Sequence, residues 1–303
     1  MMSTMAAVTL CECFARDGLQ HEPAFIPTDA KRALIERFAA LGFPRIEATS
    51  YSNPQVVPQF ADASELLETL PRRAGIFYKA TCANPKAVER ALADLDAGFG
   101  VNEISLLVSA SEAHARKNLN RTRDEQWANV QAMVRMANGR FRLVGTVSVA
   151  FGCPFEGKVD PGVVAADVAR FVSLGVEHVA LGDTTGLATP KTVKDMVRRM
   201  PAQAALIAHL HDTRGTGLLN CVAAYEAGVR YFDSSFGGVG GHPAKVQYGG
   251  GHTGNVCTED LVSLFEAMGI DTGIDLGGLV DTARHCEQVL GRELHGRVTR
   301  LVG

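Results

Sequence analysis

Alternating strand-like and helix-like segments along the whole chain predict an α/β protein built as a closed (β/α)8 TIM barrel with extra C-terminal helices. Three observations carry this reading. Eight short apolar, β-rich runs recur between stretches with helical spacing. The length of 303 residues suits a barrel of about 250 residues with a C-terminal addition. Chargeable residues gather where the strands end, which in a barrel is one face. A doubly wound open sheet ranks second, because it would rarely run to eight parallel strands without a second domain.

The elements follow in order. Val8 to Phe14 reads as the first strand, and Asp29 to Leu41, with Leu34, Phe38 and Leu41 on one face, as a helix stopped by Gly42. Strands at Pro44 to Thr49 and Gly75 to Thr81 flank a helix at Ala61 to Leu70. A helix from Pro85 to Leu95 ends near Gly98 and leads to the strand Glu103 to Ser109. Asp124 to Ala137 is helical and Phe141 to Ala150 extended. The helix Pro161 to Leu174 closes at Gly175 before the strand His178 to Leu181, and Pro190 to Met200 precedes the strand Ala204 to His209. Leu218 to Ala227 stops at Gly228 before the eighth strand, Tyr231 to Ser235. Seven helices thus lie between eight strands. Glu259 to Met268 and Gly277 to Leu290 add helices, so 255–303 is expected as a helical addition to one barrel domain spanning 1–303.

Composition narrows the function. A net charge of -3 without a basic block gives no sign of nucleic acid or an anionic membrane as partner. No run of about 18 apolar residues suggests a transmembrane span, and the first residues lack the basic start of a signal peptide. Seven scattered cysteines without zinc-type spacing fit the reducing cytoplasm, and Cys11 and Cys13 share one face of a strand.

The chemistry centres on Ala208-His209-Leu210-His211-Asp212-Thr213. Side chains alternate along a strand, so His209 and His211 point the same way, about 7 Å apart along the chain. Two imidazoles on one face at a strand end can grip one divalent metal. The barrel rule adds residues at other strand ends: Arg16 and Asp17, Glu47, Lys79, Ser109 and Glu112, Ser148, and Asp183. Asp17, before Gly18, is the best carboxylate to join the histidines, and mixed N/O ligands suit Mg²⁺, Mn²⁺ or Zn²⁺. Arg16 is either structural or able to stabilise a developing enolate oxygen. Glu47, costly to bury unpaired, is a candidate partner for Arg16. Asp183-Thr184-Thr185-Gly186 is either a catalytic strand end or a plain turn with a helix cap. Gly237-Gly238-Val239-Gly240-Gly241-His242 is a glycine-rich loop at the barrel mouth. Its spacing is neither a P-loop nor a dinucleotide fingerprint. His242 is an exposed loop histidine or an acid/base delivered on closure.

Arg16-Asp17-Gly18-Leu19-Gln20-His21-Glu22 resembles the R-D-G-L-Q-N-E segment of the 3-hydroxy-3-methylglutaryl-CoA lyase family. The resemblance runs nearly end to end. It takes in Glu47-Ala48-Thr49-Ser50 with Val57-Pro58-Gln59, and Gly152-Cys153-Pro154-Phe155-Glu156-Gly157-Lys158. It continues through Leu181-Gly182-Asp183-Thr184, the histidine pair, and Gly254-Asn255 followed by Thr258-Glu259-Asp260-Leu261.

The resemblance implies a divalent metal (Mg²⁺ or Mn²⁺) held by Asp17, His209, His211 and Asn255. It implies that Arg16 contacts the substrate and stabilises the enolate of the departing acyl-CoA, that Glu47 orients Arg16 and the metal site, and that Asp183 lies near the substrate hydroxyl and helps in removing its proton. Glu259 would support the site from beyond the loop, and Gly240 and Gly241 would contribute to substrate binding. The implied reaction is retro-Claisen cleavage of a 3-hydroxyacyl-CoA to acetyl-CoA and a keto acid, in a homodimer. One departure stands out. The family carries G-G-C-P where this chain has Gly240-Gly241-His242-Pro243, and 243–255 looks longer than usual. Imidazole replaces the thiol as acid/base, or the substrate is another 3-hydroxyacyl-CoA such as citramalyl-CoA. A condensing synthase is disfavoured by the lyase-like Arg16-Asp17-Gly18-Leu19-Gln20. A catalytically silent relative is disfavoured by the presence of Arg16, Glu47 and Asp183. Arg116, Lys117 and Asn118 are candidate CoA contacts in a loop after the fourth strand.

Overall fold

The computed structural model describes residues 8–241 and 254–301. His242, Pro243, Lys245, Gln247, Tyr248 and Gly249 to Gly251 lie outside the described residues.

Eight strands, β1 (Thr9–Glu12), β2 (Arg45–Ser50), β3 (Phe77–Cys82), β4 (Glu103–Ser109), β5 (Arg142–Ser148), β6 (His178–Gly182), β7 (Ala205–His209) and β8 (Tyr231–Ser234), pair in sequence order. All pairs are parallel, and β8 returns to β1 with Tyr231 opposite Thr9 and Ser234 opposite Glu12. The molecule is a (β/α)8 TIM barrel. Its helices are α1 (Thr28–Ala40), α2 (Ala63–Thr69), α3 (Pro85–Asp96), α4 (Glu112–Leu119), α5 (Arg123–Ala137), α6 (Pro161–Ser173), α7 (Pro190–Val197), α8 (Gly217–Glu226), α9 (Thr258–Ala267) and α10 (Leu279–Leu290).

Local chemistry sets the helix starts. Proline occupies the first turn of α3, α6 and α7, where its missing N–H costs nothing, and Asn84, Asp160 and Thr189 cap the free N–H groups behind it. Between strands and helices lies one apolar core running from Val8 to Leu294. Phe265 of α9 packs edge-on against Phe232 of β8, with ring centroids 5.1 Å apart, and α10 packs against α1. Inside the barrel, Val144, Ala180 and Ile207 form a small separate cluster with Tyr231. Alternate residues of the same strands, such as Lys79, Thr81, Ser105, Thr146, His209 and Asp233, line a cavity of about 390 Å³.

Two segments differ from the sequence reading. The first strand ends at Glu12 rather than Phe14. The Glu12 carboxylate accepts the Phe14 N–H at 2.9 Å, and the carbonyl of Cys13 accepts the N–H groups of Arg16, Asp17 and Gly18. The chain is thereby wound into a π-helical turn over Phe14–Gly18, which throws Arg16 and Asp17 over the barrel mouth. The stretch after β4 is not a loop but α4. Ser111 caps it by accepting the His114 N–H, and Asn120 ends it in the left-handed conformation. Only His114 and Ala115 of this helix are buried, so the sequence carries almost no apolar period to reveal it.

Glu12 is fully buried at the junction of β1, β8 and α9. Its Oε1 accepts the N–H groups of Phe14 and Phe236 (2.9 and 3.1 Å), and its Oε2 lies 2.6 Å from Thr258 Oγ1. Burial pushes this carboxyl up to about 8, against the opposing pull of the Thr258 hydroxyl and the two N–H groups. The Thr258 hydroxyl donates to Glu12 Oε2 and lies 2.8 Å from Ser234 Oγ. The fold therefore keeps a proton that the unfolded chain releases near its ordinary value of 4.5. Stability should fall as pH rises through this window, from about 4.5 to about 8. Glu12→Gln cannot ionise, so chemical denaturation of that variant should lose this slope. A slope equal to that of the parent would mean that Glu12 is ionised in the fold.

Candidate active site and metal centre

The ends of β1, β2, β3, β7 and β8 converge at the barrel mouth. Asp17 leaves the π-helical turn, His209 is the last residue of β7, and His211 follows it in a bridge to Asn255. Donor atoms of Asp17, His209 and His211 all lie within 4.8 Å of one another. Asn255 joins them, its Nδ2 donating to Asp17 Oδ2 at 2.7 Å. The expected ligand set is thus one cluster, drawn from the chain positions 17, 209, 211 and 255.

The cluster fits a divalent cation. Asn255 Oδ1 is buried without a hydrogen bond among the described residues, an acceptor left for something other than protein. His209 Nδ1 lies 3.1 Å from Asp233 Oδ2, so its Nε2 faces Asp17 at 4.0 Å. A carboxylate behind a histidine fixes the tautomer that presents a bare nitrogen to a metal. Burial alone would raise the Asp17 carboxyl, but the Arg16 guanidinium and both imidazoles outweigh it and hold the group below the usual carboxylate range. Asp17 is therefore a ready anion. Two nitrogens and two oxygens suit Mg²⁺, Mn²⁺ or Zn²⁺ with coordination positions to spare.

Gly240 is sterically required beside this cluster. Its φ is +136°, and a Cβ there would lie 2.0 Å from Asn255 Nδ2 and 3.0 Å from Asp17 Oδ2. Gly241 lines the cavity itself.

Arg16 lies between two carboxylates. Its Nε is 2.8 Å from Glu47 Oε1 and its Nη1 2.7 Å from Asp17 Oδ1. Glu47 is wholly buried in β2 and also accepts the Thr81 hydroxyl at 2.7 Å. Burial opposes its charge, yet Arg16 and Lys79 keep it lowered. The expected pairing of Glu47 with Arg16 is present. Nη2 of Arg16 makes no hydrogen bond among the described residues, and the side chain lines the cavity. A fixed cationic donor is thus aimed at the space beside the metal cluster.

Asp183 follows β6 and is buried, but among the described residues every hydrogen bond of its carboxylate goes to the backbone. It accepts the N–H groups of Leu187 and Ala188 at 2.8 to 3.2 Å, which is the turn-closing geometry. Burial pushes it up to about 6 despite those two donors. Its neighbours Gly182 and Thr184 line the cavity. Glu259, on the first turn of α9, accepts the Gly237 N–H at 3.0 Å and the Thr299 hydroxyl at 3.1 Å. It ties the start of the glycine-rich segment to the C-terminal turn and stands behind the site. Among the candidate CoA contacts, Asn118 reaches the cavity rim with Asn120 and Arg121, whereas Arg116 pairs with Glu112 at 2.8 Å and Lys117 covers the Phe155 ring.

Sequence reasoning missed Asp233, which orients His209, and underrated Lys79, which was noted only as a strand end. Each is a single charged residue in an otherwise apolar strand, and that was the available signal.

Comparison with known proteins agrees with this architecture. The profile of the HMGL-like family matches residues 7–286. A mitochondrial hydroxymethylglutaryl-CoA lyase of Rattus norvegicus is 38% identical over 297 residues, covering 97% of this chain and 89% of that protein. The hydroxymethylglutaryl-CoA lyase of Pseudomonas mevalonii is 38% identical over 292 residues, covering 95% and 94%. The solved structure of an HMG-CoA lyase from Acinetobacter baumannii, in complex with coenzyme A and 3-methylmalate, superposes with a TM-score of 0.93 at 37% identity, covering 100% of this chain and 97% of that one. The chain belongs to the HMGL-like family, and the relatives it matches along nearly its whole length are carbon–carbon lyases.

Proposed function

We propose that this protein is a divalent-metal-dependent lyase that cleaves 3-hydroxy-3-methylglutaryl-CoA to acetyl-CoA and acetoacetate. The observation that carries the reading is Arg16, fixed between Glu47 and Asp17 at the edge of the Asp17–His209–His211–Asn255 cluster, on the wall of one cavity. A divalent ion bound there supplies Lewis acidity to the substrate's oxygens.

In the cleavage the C3 hydroxyl loses its proton and its oxygen becomes the ketone of acetoacetate. The C2–C3 bond breaks, its electron pair enters the enolate of acetyl-CoA, and C2 takes up a proton. Arg16 offers the developing enolate oxygen a charged donor already held in place by Glu47, so no reorganisation is needed as charge moves. His242 is the proposed proton donor to C2, its ordinary value near 6.5 being suited to acid/base work. Asp183 is the proposed acceptor of the hydroxyl proton, beside the cavity-lining Gly182 and Thr184. Glu259 is a positioning residue for the glycine-rich segment. The CoA tail leaves by the rim at Asn118, Asn120 and Arg121.

The sequence Gly241-His242-Pro243, in place of the lyase string G-C-P, favours a second reading with a related substrate such as citramalyl-CoA, cleaved to acetyl-CoA and pyruvate. An acyl-CoA condensing synthase is the third. A homodimer and a cytoplasmic location belong to the proposal as well. No helix among the described residues is long and apolar enough to cross a membrane.

The test is a cleavage assay with Mg²⁺ or Mn²⁺ on 3-hydroxy-3-methylglutaryl-CoA and citramalyl-CoA in parallel, with acetyl-CoA read by mass spectrometry. Cleavage of the first supports the main reading, cleavage of only the second supports a re-specified substrate, and silence on both with metal bound would sink the lyase assignment. Asp17→Ala and His209→Ala should each abolish metal-dependent turnover, and full activity in either would refute the ligand set. Asp233→Asn should weaken metal affinity by about 10- to 100-fold, the usual loss when a group behind a ligand is removed. Metal titration by calorimetry reads this, and unchanged affinity would mean that His209 does not depend on Asp233. His242→Ala should lower kcat more than it weakens metal binding, while His242→Cys should keep or raise activity on 3-hydroxy-3-methylglutaryl-CoA. An unchanged rate in His242→Ala would make that residue a bystander.

A further inference from the structure

Two lysines among the described residues are nearly wholly buried, and they behave differently. Lys31 is 1% exposed and spends its donors on protein: Nζ reaches the Gln59 carbonyl at 2.6 Å and both Asp62 oxygens at 2.8 and 3.0 Å. Lys79 is 3% exposed, yet its Nζ makes no hydrogen bond among the described residues. The two carboxylates that neutralise it stand off, Glu47 Oε1 at 3.6 Å and Asp233 Oδ2 at 3.9 Å. Charge-assisted hydrogen bonds close to about 2.7–2.9 Å when the ammonium is there to serve the carboxylate. An ammonium carries three donors, and the Lys79 side chain opens onto the cavity, where those donors can meet a ligand.

Lys79 lines the cavity, and hydroxyls surround it. Thr81 and Ser105 sit one pleat along on β3 and β4, and Thr146 contributes from β5. Its position relative to the reaction is set by its two carboxylates. Glu47 is the residue that holds Arg16 at 2.8 Å, and Asp233 is the residue that holds His209 at 3.1 Å. An acyl group held between Arg16 and the metal cluster therefore lies over Lys79. The wall there offers an ammonium and hydroxyl donors, an odd lining for a methyl group and a fitting one for an anion.

We propose that Lys79 is a specificity-determining residue that binds a carboxylate of the substrate's acyl group. This rests on the acyl-CoA reading above and deepens it, because 3-hydroxy-3-methylglutaryl-CoA and citramalyl-CoA each carry a carboxylate on the acyl group, through a methylene in the first and directly on C3 in the second. Such a site selects 3-hydroxyacyl-CoAs with an acidic acyl group and rejects neutral ones, whose entry would leave the ammonium unpaired.

The test is calorimetric binding in EDTA, where turnover and metal chelation are both absent. The probes are 3-hydroxy-3-methylglutaryl-CoA and 3-hydroxy-3-methylbutyryl-CoA, which differ in having a carboxymethyl or a methyl group on C3. The parent protein should prefer the acidic thioester by about 30-fold, the size of one charge-assisted hydrogen bond. Lys79→Met should lose that preference while binding the neutral thioester as the parent does, and Lys79→Arg should keep part of it. Equal affinity of the parent for both thioesters would overturn the proposal, even if Lys79→Met failed to fold. So would a preference that survives in Lys79→Met, or an equal loss on both thioesters, which marks a structural lysine. A Lys79-dependent preference without cleavage of either substrate in metal would sink the lyase reading and leave the carboxylate site standing.

Discussion

One alternating chain of buried charge runs through the barrel, and the site hangs on it. Arg142 pairs with Glu103, and Glu103 with Arg45 at 2.7 Å. Arg45 faces Asp233 at 3.6 Å, Asp233 faces Lys79 at 3.9 Å, and Lys79 faces Glu47 at 3.6 Å. Glu47 holds Arg16, and Arg16 holds Asp17. Cations and anions are equal in number, so the interior carries no net charge. Buried ion pairs contribute little net stability, but removing one partner leaves an uncompensated charge in low dielectric. Each member is thus fixed by its neighbours on both sides. The consequence for function is that Arg16 and His209, on opposite flanks of the cavity, are held by one network through Glu47, Lys79 and Asp233.

The parallel barrel makes this chain possible. Parallel neighbours in register bring Lys79 beside Glu47 on one side and Glu103 on the other. Side chains alternate between core and interior, so inward positions on successive strands meet in layers. The apolar layer of Val144, Ala180 and Ile207 carries no charge and closes part of the interior. The charged chain occupies the rest, with the ligand cluster above it where the strands end. The π-helical turn after β1 completes the arrangement, since an extended chain at Cys13 would carry Arg16 and Asp17 away from the mouth.

Much of this was legible in the sequence because it is written locally. A histidine pair at i and i+2 announces its own geometry once the strand is recognised, and proline and glycine mark the helix ends. Asp17, Arg16 and Glu47 were found by one rule, that function follows strand ends. Asp233 and Lys79 obey the same rule, but their importance lies in what they meet across the barrel, and a sequence does not state which interior positions share a layer. Helix α4 escaped for another reason: with only His114 and Ala115 buried, its stability comes from the Ser111 cap and from tertiary contacts, not from an amphipathic pattern. Asp183 shows the opposite limit. Its sequence allowed both a turn and a catalytic strand end, and its carboxylate contacts are those of the turn.

The remaining candidate ligand, Asn255, is the one delivered from far beyond the strands, and its placement rests on α9. Consecutive residues of the first turn of α9 each hold a different part of the chain. Thr258 meets Glu12 of β1 and Ser234 of β8, Glu259 takes the Gly237 N–H, and Asp260 accepts the N–H groups of Arg297 and Val298 at 3.1 and 2.8 Å. Just before them, the Val256 N–H bonds to the Leu210 carbonyl, and the Gly254 carbonyl accepts the Asp212 N–H at 2.9 Å. Residues 254 to 260 are therefore laced to the strand end that bears His211. On the other side, Gly240 lies so close to Asn255 and Asp17 that no side chain fits there. Asn255 is therefore fixed from both sides, by the strand end that bears His211 and by Gly240.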